Sequence, residues 1–305
     1  MTNAISLVSQ MSNDERVLVF RCHFTPPERQ DWLKVDAYVV ITDRYVVICD
    51  TMLCPEDMQL LMQEIQSTLT GRALLIVNSH ADWDHVWGNS YFSGKGNPSI
   101  IAHSLCRTRM LSAEAGTTLA DFQKRYTSFQ NVELTPPTLT FDQTLTIYGG
   151  DLTLTLFPAP GHQPDQIAVW LPELRLLLAF DAVEYPLPTL ADPAGVPAMF
   201  ATLEHFLALQ SARVLCSHGG TTEPSQVAKN LRYLREIAQR ARFSLTIHPS
   251  TSAGLISASV LRDYSFERVL SAMTTPDRIM DDDTFYREAH ASNVHHIAQW
   301  LIDQS

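Results

Sequence analysis

The segment Ser79-His80-Ala81-Asp82-Trp83-Asp84-His85 places four metal-capable side chains within six residues, directly after the apolar run Ala73–Val77. No other stretch constrains the fold so tightly. A continuous apolar run of this length reads as a strand covered on both faces. A sheet holds the end of such a strand rigidly, so the loop leaving it can turn successive side chains toward one point. His80 and Asp82 stand at i and i+2, on the same side of an extended segment. Asp84 and His85 are adjacent and point differently, an arrangement better suited to two neighbouring ions than to one.

The surrounding pattern supplies the frame. Residues 17–20, 37–42 and Tyr45–Cys49 read as strands, the last two joined by a tight turn at Asp43-Arg44. Residues 55–67 read as a helix with Pro55 in its first turn and Met58, Leu61, Met62 and Ile65 on one face. Further strands are expected at 99–102, Leu139–Phe141, 145–147, 152–157, Ile167–Leu171, 176–179 and 214–216. Residues 104–126 read as mostly helical with a break near Gly116, and 198–209 and 224–241 as helices. A last helix begins at Thr284 with Asp283 as its N-cap. Strands, a helix, more strands and more helices imply two sheets, or one large mixed sheet, with helices outside.

Three more metal-capable side chains stand at strand exits. His162 follows Pro160-Gly161, Asp181 follows the run 176–180, and His218 follows Ser217 and precedes Gly219-Gly220. Convergence of four strand ends on one edge would collect His80, Asp82, Asp84, His85, His162, Asp181 and His218. A lone histidine at a strand end is more often a satisfied structural residue than a ligand, but the joint pattern favours a metal site. Imidazole and carboxylate donors without thiolate suit zinc, iron or manganese.

HxDxDH, then Gly-His, then Asp after an apolar strand, then Ser-His-Gly, resembles the motif series of the metallo-β-lactamase superfamily over about residues 17–243. The resemblance implies an α+β fold, a four-layer αββα sandwich with the metal site on one edge of its two sheets. It implies residues 1–248 as the metal-hydrolase domain, with a helical insertion at about 104–135 and a helical C-terminal extension at 249–305. By the same resemblance His80, Asp82 and His162 hold a first divalent ion and Asp84, His85 and His218 a second, with Asp181 bridging. Asp50 matches a structural aspartate that the family carries near its site. Tyr185 follows Asp181 by four residues, whereas the comparable tyrosine of acyl-homoserine lactonases follows by three. It reads equally as packing.

Asp82 departs from the family pattern, which usually has histidine there. With Asp82 ligating, three carboxylates, two divalent ions and one hydroxide sum to zero; with histidine the sum would be +1. A less positive site acidifies its water less and favours harder ions. Zinc is still the first expectation, with iron or manganese left open by Asp82. Asp82 either ligates directly or hydrogen-bonds a neighbouring ligand. The reaction implied is hydrolysis. Two ions lower the pKa of a shared water toward about 7, and the bridging hydroxide attacks an ester, lactone, thioester or related bond. Asp84 is the catalytic residue, orienting the nucleophile and passing its proton to the leaving group. The alternative is a di-iron redox enzyme resembling the metal domain of flavodiiron proteins, which carry a carboxylate at the matching place.

Composition narrows the partners. With 22 Lys+Arg against 33 Asp+Glu the chain carries a net charge of −11, which disfavours a nucleic-acid partner. No apolar run is long enough to span a membrane. No signal peptide is legible at the start, so export, and with it antibiotic hydrolysis, is not expected. The five cysteines are scattered and form no CxxC pair, as in reduced cytoplasmic proteins. A cytoplasmic enzyme with a small-molecule substrate is expected; oligomeric state is not legible. His103 reads as structural, and His290, near His295 and His296 on the last helix, as a buried, hydrogen-bonded imidazole. Trp83 and Trp87 either wall a pocket or anchor the core, and either 104–135 or the tail is expected to cover the site.

Overall fold

Alternating and continuous apolar runs become the strands of a seven-stranded sheet. In spatial order these are β1 (Ala4–Leu7), β2 (Val17–Phe24), β3 (Leu33–Ile41), β4 (Tyr45–Cys49), β5 (Ala73–Val77), β6 (Ser99–His103) and β7 (Leu139–Phe141). The chain is seen here as a computed structural model that describes residues 4–25, 33–94, 96–249, 251–273 and 282–304. It falls into two units, Met1–Pro158 with Asp165–Leu178, and Ala159–Pro164 with Ala179–Ser305.

In the first unit β1 to β4 run antiparallel and β4 to β7 parallel. The β3–β4 turn is tight because Thr42 Oγ1 accepts the Tyr45 amide at 2.9 Å and Thr42 N donates to Tyr45 O. Parallel pairing of β4 with β5 requires a crossover, supplied by α1 (Pro55–Glu64), which buries Met58 and Leu61. The helix expected to reach residue 67 ends at Glu64 and continues as a 3-10 turn, Gln66–Leu69, because Ile65 leaves the helical region at φ −94°. β5 is covered less evenly than its apolar run implies: Ala73 is exposed and only Ile76 and Val77 are fully buried. The buried end is the one that leads into the histidine cluster.

After β5 come α2 (Trp83–Val86), a 3-10 turn Trp87–Phe92, α3 (Ser104–Met110) and α4 (Ala113–Arg125). The break expected near Gly116 lies instead at Leu111-Ser112. There Ser112 takes an extended backbone and its hydroxyl accepts the Ala115 amide, capping α4. Gly116 sits exposed inside α4, with nothing within 4 Å of where a Cβ would lie. An antiparallel meander completes the unit: β8 (Leu145–Tyr148), β9 (Thr153–Pro158), β10 (Ile167–Leu171) and β11 (Leu176–Leu178).

The second unit carries the short strand β12 (Arg213–Leu215) and a helical array. Its helices are α5 (Gly195–Ala208), α6 (Ser225–Ile247), α7 (Ala253–Asp263), α8 (Phe266–Met273) and α9 (Asp283–Ile302). α6 runs six residues beyond the expected end at Ala241. Its last turns carry exposed Phe243 and Ile247, so core periodicity does not mark where it stops. α9 is capped by Asp282, whose carboxylate accepts the Phe285 amide at 2.7 Å, rather than by Asp283, which is already helical. α7 and α9 pack against α6 and against each other. His290 lies buried among them, as expected. Its Nε2 donates to the Tyr264 carbonyl at 2.9 Å, so its Nδ1 accepts from the Tyr233 hydroxyl at 3.0 Å. No helix of the described residues is long and apolar enough to cross a membrane.

Candidate metal centre

The first unit assembles four of the seven expected residues. β4 and β5 end side by side, and Asp50, one residue past β4, adopts φ +66°, a left-handed conformation that aspartate tolerates better than most residues. That twist points its carboxylate at the β5 exit. Asp50 Oδ1 accepts the Ser79 amide at 2.7 Å, while Oδ2 takes the Ser79 hydroxyl at 2.7 Å and His85 Nδ1 at 2.9 Å. These bonds fix both imidazoles. Asp50 only accepts, so His85 Nδ1 carries its proton and the lone pair sits on Nε2. The Ser79 hydroxyl spends its one proton on Asp50, so His80 Nδ1, 2.9 Å away, donates to Ser79 Oγ and likewise leaves its lone pair on Nε2. Both rings thus leave Nε2 as the nitrogen that an ion could take, oriented by partners behind them. The family aspartate expected at Asp50 is this anchor.

Asp82 is extended, as its i, i+2 relation to His80 requires, and its Oδ2 lies 3.4 Å from His80 Nε2. Asp84 and His85 turn the other way on the first turn of α2, with Asp84 Oδ2 3.6 Å from His85 Nε2. The two imidazole rings are 4.2 Å apart. α2 sits this close because Gly88 lets it: a Cβ there would fall 1.8 Å from the Thr51 carbonyl. Behind the cluster, Asn78 and Asn89 exchange side-chain hydrogen bonds of 3.0 and 2.8 Å, and Thr51 Oγ1 joins them.

Two residues not anticipated from the sequence complete this half. Arg109 on α3 donates from Nη2 to Asp82 Oδ1 at 2.7 Å and from Nη1 to Asp165 Oδ1, while Asp165 Oδ2 accepts the Ala81 amide at 2.8 Å. The insertion therefore reaches the cluster. Trp83 and Trp87 pack with Phe122, Phe129 and, through Phe24, Tyr126 in one aromatic group. Trp87 is buried there, so anchoring is its role. His103 is structural as expected, its Nδ1 accepting the Leu105 amide at the start of α3.

The second unit brings the other three together. Asp181 Oδ2 lies 3.7 Å from His162 Nε2 and 3.3 Å from His218 Nε2. Each stands on an unusual backbone: Gly161 at φ +144° precedes His162, Phe180 at φ +49° precedes Asp181, and Gly219 at φ +81° follows His218. The tightness is visible at Gly219, where a Cβ would fall 2.4 Å from the Tyr185 carbonyl. Tyr185 itself is buried. His162 Nδ1 meets Thr189 Oγ1 at 2.6 Å. Thr189 donates to Glu184 Oε1 at 3.0 Å, and the Tyr286 hydroxyl of α9 donates to Glu184 Oε2 at 3.2 Å. Thr189 having spent its proton, His162 donates through Nδ1 and also presents Nε2. Burial, with the Asp181 carboxylate next, pushes the Glu184 carboxyl above the usual range. No spacing rule announces Thr189, Glu184 or Tyr286; only the fold brings them behind His162.

The donor set fits divalent metal: imidazole Nε2 atoms with carboxylate oxygens 3.3–3.7 Å away, and hydrogen-bonded partners that fix the tautomers of His80, His85 and His162. The metallo-β-lactamase superfamily model matches residues 31–218. This chain therefore belongs to the metallo-β-lactamase superfamily, a group of mostly metal-dependent hydrolases that bind divalent metals. Its two-sheet α/β fold is also that of solved members. A metallo-β-lactamase from Pontibacter korlensis is 18% identical with a TM-score of 0.58, covering 75% of this chain and 98% of its own. The mono-zinc form of metallo-β-lactamase FIM-1 from Pseudomonas aeruginosa is 16% identical with a TM-score of 0.56 (76% and 94%). A metallo-β-lactamase from Erythrobacter litoralis is 17% identical with a TM-score of 0.56 (75% and 95%). No curated protein sequence matches the chain.

Proposed function

We propose that this protein is a dinuclear metal-dependent hydrolase acting on an ester, lactone, thioester or related bond of a small molecule. Following the family's motif series, the reading takes His80, Asp82 and His162 as one ligand set and Asp84, His85 and His218 as the other, with Asp181 shared. The observation that carries it is tautomeric: His80, His85 and His162 each engage Nδ1 with a partner behind the ring, so each offers Nε2 to an ion. Zinc is the metal this reading favours, because catalytic zinc takes imidazole and single carboxylate oxygens and keeps one position open for water.

Two bound cations would supply an acidified water and a positive field for the developing oxyanion. The chain's own part begins with Asp84, whose carboxylate is nearly buried and stands beside His85. Asp84 orients the attacking water and takes its proton. A bond forms from the water oxygen to the carbonyl carbon, the carbon–oxygen or carbon–sulfur bond to the leaving group breaks, and Asp84 returns the proton to that group. The five cysteines are buried thiols, which supports a cytoplasmic location. The redox alternative finds no support among the solved relatives.

The test is metal analysis of protein purified without added metal, followed by a panel of lactones, aryl esters, thioesters and β-lactams. Two ions per chain are expected, with turnover that chelation abolishes and zinc restores. Turnover that survives chelation, or protein that binds no metal and turns over nothing in the panel, would overturn the proposal.

A further inference from the structure

The carboxylate that departs from the family pattern is held by a residue from outside the motif series. Arg109 spans two carboxylates, taking Asp82 Oδ1 through Nη2 and Asp165 through Nη1. Asp165 closes the chain of contacts by accepting the amide of Ala81, the residue between His80 and Asp82. The Asp165 side chain is fully buried, whereas those of Arg109 and Asp82 are 31% and 24% exposed. One guanidinium thus fastens both the side chain of Asp82 and, through Asp165, the backbone that presents it. With Oδ1 on Arg109, the oxygen that faces His80 Nε2 is Oδ2, at 3.4 Å.

We infer that Arg109 is a positioning residue that makes Asp82 a one-oxygen ligand and thereby sets the site's preference for zinc. The inference rests on the dinuclear reading above. The physical argument concerns how a carboxylate binds. With both oxygens available it can chelate, which suits larger oxygen-seeking ions of high coordination number. With one oxygen committed to a guanidinium it offers a single donor, as the histidine usual at this place does, and a single donor fits four-coordinate zinc. Charge neutralisation is not the operative effect, because Asp165 returns the negative charge that Arg109 cancels. Geometry is. Lysine cannot replace it, since a single ammonium lacks the planar fork that grips two carboxylates at fixed angles.

The experiment is a double-mutant cycle read by metal affinity. Zinc and manganese dissociation constants are measured by competition with a chromophoric chelator, for the intact chain, Arg109→Gln, Asp82→His, and Asp82→His with Arg109→Gln. In the Asp82 background, loss of Arg109 weakens zinc about 10–100-fold and weakens manganese less. In the Asp82→His background the same change alters zinc affinity less than about threefold, because no carboxylate remains to be oriented. If Arg109 merely tied α3 to the loop, zinc affinity would fall equally in both backgrounds, and that result overturns the inference, as does no change in either. Should Arg109→Gln fail to fold, Arg109→Lys keeps the charge and still predicts a selective loss of zinc in the Asp82 background. An intact chain that binds no metal removes the dinuclear reading itself; an intact chain that binds two ions without the coupling removes only the role of Arg109.

Discussion

Replacing Asp50 by asparagine is the sharpest perturbation of the proposed centre, because it changes one atom and replaces none of the proposed ligands. The buried carboxylate accepts three hydrogen bonds, from the Ser79 amide, the Ser79 hydroxyl and His85 Nδ1. Asparagine tolerates the φ of +66° found there as well as aspartate does, so the backbone stays. An amide, however, accepts on one side only. If its oxygen faces Ser79 Oγ and His85, its NH₂ confronts the Ser79 N–H. If it is flipped, its NH₂ confronts His85 Nδ1–H, and His85 must move its proton to Nε2, where the ligating lone pair belongs. Either way a buried donor is left without an acceptor, at about 1–3 kcal/mol, and charge-assisted bonds are lost besides.

The metal should feel the change more than the fold does. Loss of such a partner behind a ligating histidine weakens metal binding about 10–100-fold, or roughly 1.4–2.8 kcal/mol. The assay pairs chelator-competition titration of zinc with thermal melting of the metal-free protein. Zinc affinity unchanged within about twofold, in a variant that melts normally, would show that Asp50 does not set the His85 tautomer, and the reasoning would fail with it.

Two further outcomes follow from the second unit. Gly161→Ala places a Cβ 2.5 Å from Met199 Cα at φ +144°, so a loss of about 2–4 kcal/mol is expected; an unaltered melting temperature would contradict the packing described. His290 is held below its usual value of about 6.5 chiefly by burial, which outweighs the opposing pull of the Tyr264 carbonyl and the Glu267 charge, while Arg287 lowers it further. The imidazole is neutral in both states above that pH. Below it, the unfolded chain takes up a proton that the folded chain refuses, so stability falls until the pH reaches the lowered folded value. Melting of the metal-free protein should therefore drop from pH 7 to 5, and drop less in His290→Gln; equal slopes would assign the effect elsewhere.

Most strand positions and the seven ligand candidates were legible because both are local properties of the chain, although β1 was not anticipated and β2 and β3 extend beyond the runs read as strands. β4, β5, β7 and β10 fall where apolar runs meet turn residues, and each metal-capable side chain stands a few residues past a strand. Helix ends were less legible. Ser112, not Gly116, divides α3 from α4, because a hydroxyl cap stops a helix where an exposed glycine does not. α6 outran its apolar pattern because Phe243 and Ile247 lie in solvent.

The order of the motifs pointed to the superfamily that the family model then matched, since HxDxDH, His162, Asp181 and His218 stand in that order at strand exits. The partners that give those residues their chemistry were decided by the tertiary structure alone. Arg109 meets Asp82 across 27 residues, Asp50 meets His85 across 35, and Tyr286 meets Glu184 across 102. A ligand is recognisable by its own side chain. The group that fixes its proton or commits its second oxygen is recognisable only by proximity, and separations of this size leave no periodic trace in the sequence. They exist only once the sheets and helices have packed.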